Sequence, residues 1–62
     1  MKLNIEIEQE DDGRWIAEVP DLPGVMSYGA TSAQAVRKVE ALTLRVVVDR
    51  LENCESVPFL VD

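Results

Sequence analysis

No histidine, a single cysteine, and one each of phenylalanine, tryptophan and tyrosine occur among the 62 residues. Each scarcity excludes a chemistry. Without histidine, Ser27, Ser32 and Ser56 have no imidazole to activate them, and a Ser-His triad is impossible. One thiol and no imidazole fall short of the ligand set of a structural zinc. Cys54 has no second cysteine with which to form a disulfide, and its neighbour Glu55 disfavours thiolate, so an inert thiol is expected. Gly13, Gly24 and Gly29 stand in separate turns and compose no phosphate loop. The apolar stretch Val46-Val47-Val48 is far too short to span a bilayer, which argues against a membrane location. Alternating acids in Lys2-Leu3-Asn4-Ile5-Glu6-Ile7-Glu8 are incompatible with a signal-peptide apolar region, and the lone cysteine fits a reducing, cytoplasmic compartment. No cofactor or metal is expected.

The length fits one domain, residues 1–62, with no linker, repeat or low-complexity tract. A chain this short buries roughly 60% of the surface its unfolded form exposes, so its core is marginal. With disulfide and zinc excluded, a protein partner or self-association is the remaining support. Twelve acidic residues against six basic ones give a net charge of −6. Such a surface is repelled by phosphate backbones, so direct nucleic-acid binding by this domain alone is not expected. A basic protein is the electrostatic complement, although acidity also serves plain solubility.

Leu3, Ile5 and Ile7 alternate with Lys2, Asn4, Glu6 and Glu8, the period of a half-buried strand over residues 2–8. Gln9 to Gly13 is polar, and Asp12-Gly13 marks a hairpin turn before an extended Arg14–Val19. Pairing Ile7 opposite Ile16 would put Ile5 opposite Glu18 on the apolar face. Slipping by one residue instead groups Ile5 and Ile7 with Trp15, Ala17 and Val19, and burial selects that register. The other face then carries Asn4, Glu6, Glu8, Ile16 and Glu18. Two prolines and Gly24 make Pro20-Asp21-Leu22-Pro23-Gly24 a loop. Val25 to Tyr28 is a short third strand closed by Gly29.

Thr31-Ser32-Ala33-Gln34 is a capping-box sequence, which predicts a helix from Ser32 to about Glu52 with Asn53 as the left-handed C-terminal residue. Ala35, Val39, Leu42 and Val46 form a stripe able to cover the sheet. Leu44, Val47, Val48 and Leu51 extend apolar surface beyond it; Val46-Val47-Val48 alone spans about 200° of the helix. One sheet face cannot cover so wide an arc: either the final segment folds over the excess or another chain does, and for the latter these four residues are the candidates for self-association into a homo-oligomer. Ser56 to Val61 is expected to form a short final strand, with Pro58 favouring an edge. The predicted fold is α+β with two layers in the order β-β-β-α-β: an antiparallel three-stranded meander, a helix on one face, and a short C-terminal strand.

The ordered spacing of Asp12-Gly13, Ala17, Pro20 to Gly24, Gly29, Thr31, Ala35 and Glu40-Ala41 resembles the N-terminal domain of HicB-like antitoxins, over residues 1 to about 52. The resemblance implies a partial ribonuclease-H-like fold and a non-catalytic protein that binds and neutralises a small basic HicA-like RNA-cleaving toxin. Relatives with a C-terminal helix-turn-helix or ribbon-helix-helix also bind their operator; only Asp62 follows Val61, so no such module is expected here. Where the family often has a polar residue between the glycine and threonine, this chain has Ala30. Ribonuclease-H chemistry needs convergent carboxylates around two cations about 4 Å apart. Glu6 and Glu8 instead face outward from the sheet, and the chain is not expected to be an enzyme. Glu8, Glu10, Asp11 and Asp12 lack the ligand spacing of a calcium loop and read as a solvated hairpin tip.

The candidate partner-binding residues are Glu6, Glu8, Ile16, Glu18 and Tyr28, on the face away from the helix. Trp15 is expected at the rim of the core beside Ile7, with an interface anchor as the alternative; Tyr28 fits either. The other functional expectation is a homo-oligomeric scaffold domain of the HicB-like fold without a toxin, using Leu44, Val47, Val48 and Leu51.

Overall fold

In a computed structural model describing residues 2–57, three antiparallel strands form one sheet followed by one helix: β1 (Glu6–Gln9), β2 (Trp15–Glu18), β3 (Met26–Gly29) and α1 (Ser32–Glu52). The α+β meander-plus-helix architecture is the expected one. The predicted final strand falls mainly on residues 58–62, outside the described residues; Ser56 and Val57 carry no strand.

The β1–β2 hairpin closes through three residues. Gly13 donates its N–H to the Glu10 carbonyl (2.9 Å) and Glu10 donates to Arg14 (2.7 Å), with Gly13 at φ 91°. A type I turn followed by a left-handed glycine is the usual solution for a three-residue hairpin loop, which is why Asp-Gly works here. The register is Glu6↔Glu18, Ile7↔Ala17, Glu8↔Ile16 and Gln9↔Trp15, the one selected by burial. The first strand is shorter than its alternation suggests. Beyond Glu18 the Val19 N–H turns to the Val25 carbonyl (3.0 Å) and Pro20 has no N–H, so the residues preceding Glu6 find no ladder to join. Leu3 and Ile5 still pack against the core.

The proline loop is two consecutive turns. Leu22 donates to Val19 and Val25 donates to Leu22, each at 3.0 Å. Pro23 and Gly24, the latter at φ 89°, occupy the two central positions of the second turn, the pairing that a type II turn requires. This double reversal drives the Leu22 side chain inward until it is fully buried. With Ala17, Val19, Val25, Ala35 and Val39 it makes the core.

The helix begins as its capping sequence predicts: Thr31 Oγ1 accepts from the Gln34 N–H at 3.1 Å. The reciprocal bond runs one residue further back than expected, from the Ala30 N–H to Gln34 Oε1 at 2.6 Å. Gly29 is buried directly beneath this first turn. A Cβ there would lie 2.6 Å from the Ala35 backbone nitrogen, so only glycine allows the helix to sit this close to β3. The buried line of the helix is Ala35, Val39, Thr43 and Val47. Leu42 and Val46, expected in that line, lie at its edge and are half-buried. Thr43 tolerates full burial because its hydroxyl donates to the Val39 carbonyl at 2.7 Å.

The helix ends at Glu52, and the left-handed residue is Cys54 (φ 58°), not Asn53 (φ −95°). Glu55 donates to the Arg50 carbonyl (2.7 Å) and Cys54 to Leu51 (3.2 Å). These bonds define a Schellman motif, whose αL position is one beyond the capping residue. Asn53 instead uses its side-chain amide to cap the Asp49 carbonyl at 2.8 Å.

Candidate protein-binding face

Alternation along the three paired strands sets the outer face. Ile16 stands opposite Glu8 on one side and Tyr28 on the other; Glu18 stands between Glu6 and Met26. All five sequence-predicted partner residues therefore share one surface. Met26, 38% exposed, completes it and was missed; counting back two from Tyr28 along the strand finds it.

The layer beneath explains why this face stays open. The helix packs mainly on β3 and β2 and barely reaches β1. Ala17 and Val19 are fully buried on the inner side, while Ile7, though on the helix side, is 47% exposed. The expectation that Leu3, Ile5 and Ile7 are all sheltered by the helix therefore holds for the first two and is corrected for Ile7. Trp15 is half-buried against the core and stands opposite Gly29, in the expected position at the core rim.

Electrostatics on the outer face are one-sided. Glu6 and Glu18 are direct cross-strand partners, an arrangement that like charges disfavour. Residues 6–21 hold seven acids and one arginine, which by itself accounts for the net charge of −6; the remaining five acids and five bases cancel. That arginine is engaged. Arg14 Nε donates to Asp12 Oδ2 at 2.8 Å, and its guanidinium lies 4.7 Å from the Tyr28 ring centroid. The Tyr28 hydroxyl points to Glu10 Oε1 at 3.5 Å. The Arg14 backbone N–H bonded to Asp12 Oδ1, helped by the guanidinium, holds the Asp12 carboxyl below its usual range. Glu6, Glu8 and Glu18 have no ion-pair partner among the described residues. A depression lined by Glu6, Ile7, Glu8, Glu10, Ile16 and Glu18 results, in which four carboxylates accompany two isoleucines.

These acids do not converge as cation ligands: among the described residues no group of three or more Asp, Glu or Cys side chains is placed to hold a metal ion. No described helix is long and apolar enough to cross a membrane.

The four self-association candidates divide. Leu44, Val48 and Leu51 are 53%, 54% and 55% exposed, whereas Val47 is buried within the chain. Val47 lies four residues beyond Thr43 and so continues the inward line; its place in the surplus apolar arc is corrected accordingly. Comparison with protein-family models, curated proteins and solved structures finds no match.

Proposed function

We propose that this chain is a non-catalytic, cytoplasmic antitoxin-type protein of the HicB-like kind, which binds and neutralises a small basic RNA-cleaving toxin. The observation that carries the reading is the outer sheet face, where Glu6, Glu8 and Glu18 surround Ile16 without a neutralising cation. Carboxylates of one sign steer a basic partner and accelerate its encounter, while Ile16, Met26 and Tyr28 offer apolar area for the contact itself. A bound toxin would have its RNA-cleaving residues covered, so inhibition is steric and requires no chemistry from the antitoxin. The family resemblance rests on the ordered Gly13, Pro20–Gly24, Gly29 and Thr31 spacing.

The test mixes the purified chain with the product of an adjacent small, basic, histidine-containing reading frame and follows cleavage of RNA. Stoichiometric inhibition is expected. The association rate should fall with added salt, and a Glu6→Gln, Glu18→Gln double variant should associate several-fold more slowly. Absence of binding at low salt removes the reading.

A further inference from the structure

We propose that the C-terminal half of α1 is a dimer interface for a second copy of this chain, with the two helices packed in parallel. Ala41, Leu44, Val48 and Leu51 follow a three-four-three spacing on the side of the helix turned away from the core, and all four are exposed. That spacing is the a/d seam of a coiled coil, with Ala41 and Val48 at a and Leu44 and Leu51 at d. Val48, β-branched at a, with leucine at both d positions favours two strands over higher numbers in a parallel pairing. The seam starts at Ala41 because Arg37, the preceding d position, is charged and exposed.

Charge selects the occupant and its orientation. Glu40 occupies the g position and Arg45 the following e position, both exposed. In a parallel pair, Glu40 of each copy meets Arg45 of the other, giving two complementary contacts by symmetry. Antiparallel packing brings the two Arg45 guanidiniums toward each other instead. Self-pairing through the β1 edge is opposed, because it would set Glu6 and Glu8 against the same residues of its copy. The seam runs about 15 Å along the helix axis, so the interface is small and association is a matter of micromolar or higher concentration. It leaves the acidic face free and does not depend on the toxin reading.

Sedimentation of the full chain, without any partner, from low micromolar to near millimolar concentration tests this. The mass should rise from that of a 6.9 kDa monomer toward twice that value. Leu44→Glu should abolish the rise while the circular dichroism spectrum stays that of the parent. Glu40→Arg and Arg45→Glu should each weaken dimerisation several-fold, and the double exchange should restore it. A monomer at every concentration overturns the interface. A double exchange no better than either single variant overturns the parallel arrangement, even if Leu44→Glu proves unfolded.

Discussion

The outer face of the sheet and the outer face of the helix are both open to solvent, yet they are kept open in opposite ways. On the sheet, like charges stand directly opposed at Glu6 and Glu18, and the strands stay paired because Ala17 and Val19 are fully buried on the other side. On the helix no repulsion is present; Leu44, Val48 and Leu51 lie in water because the inward line of Ala35, Val39, Thr43 and Val47 has already filled the sheet-facing arc. The difference teaches which contacts each surface rejects. Carboxylates on an edge strand oppose pairing with a second copy, whereas the uncharged seam sets no such barrier.

The strongest way to break the comparison is to remove the frame that both faces share. Leu22→Ala should cost about 3 kcal/mol, because a fully buried leucine is replaced by a cavity that tight turns on both sides keep from collapsing. Urea denaturation reads the loss, and both surfaces should disappear in one transition. A helix-only change follows. Cys54→Gly should stabilise the fold by about 0.5–1 kcal/mol, since Cys54 holds a left-handed conformation that costs glycine little; a thermal midpoint below the parent's would contradict that.

A sheet-only change is smaller on stability and more informative on binding. Glu18→Lys converts the Glu6 pairing from repulsive to attractive and should raise stability by about 0.5 kcal/mol. The same substitution should slow association with a basic toxin, so stability and binding move in opposite directions. If both rise together, the acidic face is not the docking surface. Smallest is the pH dependence of the hairpin tip. The depressed Asp12 pKa means its contribution is present above the unfolded-state value and lost as pH falls through the folded one. Asp12→Asn should therefore lower stability slightly at neutral pH, flatten the acid limb of the stability curve, and leave stability below the folded-state pKa nearly unchanged.

Local chemistry made much of this legible beforehand. Asp12-Gly13, Pro23-Gly24 and Thr31 through Gln34 each carry their own turn or cap, and each forms where its residues dictate. The hairpin register was legible too, because a one-residue slip would have put Glu18 on the apolar face. Leu22 was not, since a residue between two prolines reads as loop until the double turn is seen to point it inward. Nor was Thr43, which looks polar in sequence and is buried because its hydroxyl finds the carbonyl one turn back. Exposure of Ile7 was equally hidden: alternation gives the face of a strand but not whether a helix reaches that far across the sheet.

The sequence alone determined the order of the three strands and the helix, the faces of the strands, the bounds of the helix and the excess of acid on one hairpin, all consequences of periodicity and turn chemistry within a few residues. Only the tertiary structure decided where the helix lies across the sheet. Because Gly29 lets α1 settle against β3, Val47 is taken into the interior while Ile7, Leu44, Val48 and Leu51 are left outside, and an offset between two layers is a property no local segment encodes.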